Sequence, residues 1–224
     1  MTVRARTMRT APVAGIDVGG NLKLCDLVIL QGTSILHRAR GVAPEALLPL
    51  CLEHDVVAVG VDAPCRWWAG EGHRAAERAL VRERISLFST PARERALANT
   101  TGFYDWMFVG ERVYRALDGA YPLLSAPRYA GGRVSFETYP HAITCALLGK
   151  DVASARQKRV QRRQLLEGWG IDVTTLTSVD ARDAALCALT ARFVVEGNAD
   201  AYGDAEGGYI RVPRVSEPIG YPAP

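Results

Sequence analysis

Two apolar runs that each end in a carboxylate set the pattern of this chain. Val13-Ala14-Gly15-Ile16-Asp17 and Ala58-Val59-Gly60-Val61-Asp62 are β-rich stretches that stop at turns marked by Gly19-Gly20 and by Pro64. Runs of Val, Ile and Ala bounded in this way predict buried strands, and in an open α/β sheet ligands gather just beyond the carboxyl ends of such strands. Between the two, residues 23–30 and 34–38 alternate as further strands around Gln31-Gly32-Thr33, the middle of a hairpin, so the first three strands predict an antiparallel meander. Residues 44–54 predict a compact helix, after which 56–61 return to the sheet. A right-handed crossover sets that strand beside the first, which makes Asp17 and Asp62 neighbours in space.

Residues 66–128 form a long insertion rich in Arg, Glu and aromatics. It has helical stretches at 71–84 and 106–117 and is punctuated by Pro91, Gly102, Pro122 and Pro127. Strand character resumes at 133–139, Pro140 opens a helix to 148, a basic helix covers 154–167, and a last helix covers 178–196, stopped by Gly197-Asn198. The order β-β-β-α-β-α-β-α, with acids after the first and fourth strands, outlines a ribonuclease H-like α/β fold. That fold is a mixed sheet, an antiparallel meander plus parallel strands, flanked by helices. The expected organisation is a flexible tail at 1–12, one domain at 13–213 carrying the 66–128 insertion, and a tail at 214–224.

Composition narrows the classes. At 224 residues the chain can bury the core of one substantial domain. Its apolar runs are all too short to cross a bilayer, and the arginine-bearing start at 1–9 is not followed by the apolar segment of a signal peptide. Cys25, Cys51, Cys65, Cys145 and Cys187 are scattered without a C-x-x-C pair, which argues against a zinc site or a disulfide framework and for reduced thiols in the cytoplasm. A net charge of +3 neither demands nor excludes a polyanionic partner. The basic residues are overwhelmingly Arg, the better fork for phosphate oxygens.

Further acids extend the pair. Glu137 lies within Val134-Ser135-Phe136-Glu137-Thr138-Tyr139, and Asp180 and Asp183 lie three apart in the last helix, hence on one face. Asp183 shares its stripe with Leu186, Cys187, Thr190 and Val194, so it points inward, where a carboxylate needs a partner. Crowded carboxylates invite a divalent cation, and two Mg2+ or Mn2+ ions bridged by Asp17 and flanked by Asp62 and Asp183 suit phosphodiester hydrolysis. Glu137 or Asp180 would serve as outer ligand or water-positioning group. Each acid also has a structural use: Asp17 and Asp62 can bond to their turns, Asp180 fits the helix start at Thr177-Ser178-Val179-Asp180, and Glu137 can pair with an arginine.

In Gly15-Ile16-Asp17, Gly60-Val61-Asp62-Ala63-Pro64, the arginines of 74–84 ahead of Ser89-Thr90-Pro91, Glu137-Thr138-Tyr139-Pro140, Asp180-Ala181-Arg182-Asp183-Ala184 and Gly207-Gly208-Tyr209-Ile210-Arg211-Val212-Pro213, the chain resembles a domain-of-unknown-function family of predicted ribonuclease H-like nucleases. The resemblance spans 15–213 and implies the fold and a metal-dependent nuclease activity resting on these acids. His141 stands where that pattern commonly carries another carboxylate, and an imidazole there can bind metal, transfer a proton or serve structure alone. The paired acids of the last helix look like those of Holliday-junction resolvases in arrangement.

Arg74, Arg78 and Arg82 recur every four residues, which would line one helix face with guanidiniums as a substrate-binding ridge, His141 adding to it. Arg156, Lys158, Arg159, Arg162 and Arg163 form a denser cluster suited to a nucleic-acid backbone or simply to solvent. Trp67-Trp68 and Tyr104-Asp105-Trp106 can stack bases or pack as a cap. Two other classes fit the same residues. Asp17-Val18-Gly19-Gly20 suits the phosphate turn of an actin- or sugar-kinase-like nucleotide binder, and a non-catalytic binding protein could use the acids as caps. Nucleic acid or another phosphodiester is the expected partner. DNA, RNA, branched junctions and small metabolites, and any oligomeric state, are all compatible.

Overall fold

In a computed structural model, which describes residues 10–218, seven strands form one mixed sheet in the order β3-β2-β1-β4-β5-β7-β6. The meander is β1 (Val13–Val18), β2 (Cys25–Gln31) and β3 (Ser34–Val42), antiparallel throughout. Helix α1 (Pro44–Glu53) returns the chain to β4 (Ala58–Asp62), which lies parallel to β1, and β5 (Val134–Thr138) lies parallel to β4. This is the ribonuclease H-like arrangement of meander and parallel strands. Of the tails expected at 1–12 and 214–224, residues 1–9 and 219–224 lie outside the described residues.

The 66–128 segment holds α2 (Ala75–Arg82), shorter than the helix expected at 71–84, a further short α3 (Arg93–Leu97), and α4 (Asp105–Leu117), which covers the helix expected at 106–117. Helix α2 starts later than expected because Arg74 and Glu77 close a box at its start, Glu77 Oε2 accepting from the Arg74 backbone N–H at 3.2 Å. After β5 come α5 (Pro140–Leu148), α6 (Lys158–Gly168) and α7 (Val179–Val195), and then a hairpin of β6 (Ala199–Asp204) and β7 (Gly208–Pro213). Strand β7 lies parallel to β5 and extends the sheet beyond the strands read from the sequence.

The strand period of two divides the sheet residues between two cores. Ala14, Ile16, Val18, Leu27, Ile29, Val59 and Val61 pack under α1 and α4, while Val28, Leu30 and Phe136 pack under α5, α6 and α7. The second layer is unusually close. Gly15 and Gly60 face each other across β1 and β4, and a Cβ at Gly15 would come within 2.0 Å of the Ala184 carbonyl oxygen, one at Gly60 within 2.6 Å of the Cys187 carbonyl oxygen. The paired glycines form a flat seat on which the α7 backbone rests directly on the sheet. Because residues two apart share a strand face, Asp17 and Asp62 sit on that same α7-facing side.

Candidate functional site

Asp17 and Asp62 are in register at the carboxyl ends of β1 and β4, and α7, lowered onto the glycine seat, brings Asp183 over them. Burial pushes the Asp17 carboxyl up to about 7, with the charges of Asp180 and Asp26 adding to the rise and those of Arg162 and Lys23 opposing it. Asp62 is raised well above the usual carboxylate range by burial and by Asp17 and Asp183. Asp183 is raised by burial and by Asp17 and Asp180, against the lowering effect of Arg162. These effects describe carboxylates that share one low-dielectric space and resist ionising together.

Asp180, one turn before Asp183, is partly exposed and accepts from Lys23 Nζ at 2.5 Å. The helix start that its sequence resembles is realised by Ser178, whose Oγ accepts from the Ala181 N–H at 3.0 Å. His141, in the first turn of α5, is half-buried, with Nε2 3.8 Å from Cys145 Sγ. Burial and the Arg162 charge hold it below its ordinary value, which favours the neutral imidazole.

Glu137 stands apart from this group in its bonding. Its carboxylate takes a two-pronged contact from Arg74, at 2.6 and 2.8 Å, and the Cys65 backbone N–H at 2.9 Å. Arg74 also donates from Nε to Glu77 at 2.9 Å and to the Gly207 carbonyl at 3.1 Å. This corrects the expected arginine ridge: Arg74 caps α2 from within the protein, 1 % exposed, while Arg78 and Arg82 face solvent. A residue at a helix N-terminus is pulled out of the face that its i, i+4 spacing suggests when its side chain turns back to cap.

The basic cluster of α6 divides in the same way. Arg162 turns inward and pairs with Asp183, whereas Arg159 and Arg163 stay exposed. The signal was present in the sequence, since Arg162 lies three and four residues before the buried Leu165 and Leu166 and so shares their face. Asp26 was missed altogether: it is the register partner of Asp17 on β2, 8 % exposed, with Arg40 Nε 3.5 Å away.

Beside the acids, at the ends of β1, β4 and β5, lies a cavity of about 280 Å³. Asp62 and Glu137 reach it, and Leu87, Phe88, Trp106 and Tyr139 supply much of its apolar wall. Leu87, Phe88 and Trp106 come from the 66–128 insertion. The Gly19-Gly20 turn after β1 is closed on itself: the Gly19 N–H donates to the Leu24 carbonyl at 2.8 Å, and the Gly20 carbonyl accepts from the Lys23 and Leu24 N–H groups.

The donor set suits a hard divalent ion, being oxygen-only, crowded, and short of positive charge, with the buried Oδ1 of Asp183 lacking a hydrogen-bond partner. Among the described residues, no three His, Cys, Asp or Glu side chains stand close enough together to hold an ion as they are. The fit is therefore one of chemistry and placement, with Arg162 supplying the positive charge nearest Asp183.

All five cysteines are free. Among the described residues no helix is long and apolar enough to cross a membrane. A solved structure titled "Thermus thermophilus RuvC structure" is similar over 84 % of this chain and 98 % of that one, at 17 % identity and a TM-score of 0.44. Comparison with curated proteins finds no match. Residues 9–207 match the family described as "Protein of unknown function (DUF429)", and the chain belongs to that family.

Proposed function

We propose that this chain is a divalent-metal-dependent phosphodiester hydrolase acting on nucleic acid. The observation that carries the reading is the in-register pair Asp17 and Asp62 close to Asp183, a cluster of carboxyls that resist ionising together at the strand ends of a ribonuclease H-like sheet. Mg2+ or Mn2+ held by Asp17, Asp62 and Asp183, with Asp180 at the margin, would supply Lewis acidity toward a phosphoryl oxygen and make water acidic enough to attack at neutral pH.

The chain's own residues do the rest. The glycine seat sets the spacing of helix and strand acids, Arg162 orients the Asp183 carboxylate, and neutral His141 is available to exchange a proton. Glu137, tied to Arg74, acts as a wall and anchor of the site, which narrows the catalytic role first expected for it. The closed Gly19-Gly20 turn, its Gly19 amide already used, favours hydrolase over nucleotide-binding kinase relative.

Calorimetric titration with Mn2+ and Mg2+ is expected to give binding in the wild type that is lost in Asp17→Asn and in Asp183→Asn. Phosphodiesterase activity should fall at least ~1000-fold in Asp17→Asn with an unchanged circular dichroism spectrum, a loss of about 4 kcal/mol in transition-state stabilisation. Full activity in that variant would overturn the mechanism.

A further inference from the structure

Phe88 stands in the wall of the cavity beside the acids, with a second exposed aromatic, Phe103, against it. Phe88 is 52 % and Phe103 48 % exposed, their rings are 5.1 Å apart, and Phe88 meets Trp106 edge-on at 6.4 Å. Tyr104 continues the group, 5.0 Å from Phe103. Clustered aromatic rings left in water next to a functional cleft mark a surface that is covered in use.

Phe88 and Thr90 also border a second hollow, of about 430 Å³, which holds Arg95, His73 and Trp68. One exposed ring thus forms a partition: on one side lies the cavity reached by Asp62, on the other a trough with a guanidinium, an imidazole and an indole. The first cavity, at about 280 Å³, sits at the small end of ligand sites, room for one flat heterocycle and far too little for a stacked pair of bases in a duplex.

The geometry points to a single-stranded substrate. One unstacked base enters the acid-side cavity against Phe88 and Trp106, and the neighbouring nucleotide lies in the trough, its base near Trp68 and its phosphate near Arg95. The proposal rests on the hydrolase reading of the acids and names the substrate class of that same site. Rings give affinity without sequence preference, because every base has a π-face. In a duplex the bases are already stacked and paired, and one of them would have to be extruded before it could enter. The chemistry recognised is a nucleobase, which a free mononucleotide also carries. The trough on the far side of Phe88 favours a strand that spans both hollows.

Fluorescence anisotropy of a labelled short oligothymidylate, with and without Mn2+, tests this, with cleavage of the same strand followed in parallel. The comparison ligands are the same sequence as a blunt duplex and thymidine monophosphate as competitor. The single strand is expected to bind at least tenfold tighter than the duplex. Phe88→Ala, at an exposed position, should weaken it by roughly tenfold, and Phe88→Tyr should restore it. Equal binding of duplex and single strand, indifference to Phe88→Ala, competition by the mononucleotide as strong as by the strand, or no binding would each overturn the proposal. Cleavage of the duplex as fast as of the single strand would strike this inference and leave the hydrolase reading intact. Ring-dependent binding of the single strand with no cleavage under any metal would do the reverse.

Discussion

Two groups of buried or half-buried acids sit side by side at the strand ends, and the protein treats them in opposite ways. Glu137 and Glu77 are both joined to Arg74, whose guanidinium is enclosed with them, and further hydrogen bonds come from the Cys65 and Thr90 backbone N–H groups. Asp17, Asp62 and Asp183 share Arg162, paired with Asp183, while burial first, and the charges of neighbouring acids second, hold all three above the usual carboxylate range. The first group has one cation for two carboxylates but satisfies their oxygens with hydrogen bonds inside the fold, and it serves as structure. The second is short of positive charge, and an imbalance held at the end of a sheet is a place for a cation from outside. Carboxylates that look alike along the chain are thus separated by where the nearest guanidinium points.

The largest effect is expected from breaking the first group. Arg74→Met removes the shared cation and strands two buried carboxylates, so stability should fall by roughly 3–5 kcal/mol in urea denaturation. A loss under ~1 kcal/mol would mean that Glu137 and Glu77 do not depend on Arg74.

The second group should respond with the opposite sign. In chelator, Asp17→Asn is expected to raise stability by roughly 2 kcal/mol at pH 8, since burial and repulsion penalise the ionised form by more than one pH unit's worth of free energy. The sign of the pH dependence follows. A carboxyl whose value rises from 3.8 unfolded to about 7 folded stabilises the fold while protonated, and that contribution is lost as pH climbs from about 4 through 7. Metal-free wild type should therefore have a higher urea midpoint at pH 5 than at pH 8, with a smaller difference in Asp17→Asn. A flat wild-type profile would mean that Asp17 is already compensated within the fold.

The smallest effect belongs to Asp180, which pairs with the 68 % exposed Lys23. Asp180→Asn should change stability by no more than about 0.5 kcal/mol, as exposed ion pairs do, while bringing the metal-free pH profile closer to flat by removing one of the charges that raise Asp17. A large stability loss would place Asp180 among the structural acids instead.

How much of this was legible along the chain varies element by element. The meander, the crossover that sets β4 beside β1, and the neighbouring of Asp17 and Asp62 follow from apolar runs and turns, because buried strands and short right-handed connections leave few alternatives. The inward set of Asp183 follows from its helical stripe. The β6–β7 hairpin was missed because β6, Ala199–Asp204, holds no Val, Ile or Leu and carries a Gly and two Asp, so it lacks the β-branched apolar run that marks a strand. Arg74 and Arg162 were read as surface charge because a guanidinium can reach inward or outward from the same backbone position.

Local sequence determined the strand ends, the acids placed on them, and the glycines at positions 15 and 60, since side-chain periodicity and steric freedom are properties of a few neighbouring residues. Tertiary structure alone decided which acids are neutralised, how closely α7 descends onto the sheet, and which insertion aromatics wall the cavity. Those outcomes depend on distances between residues far apart in the chain, and in a low-dielectric interior a few ångströms decide whether a charge is paired or left to repel its neighbours.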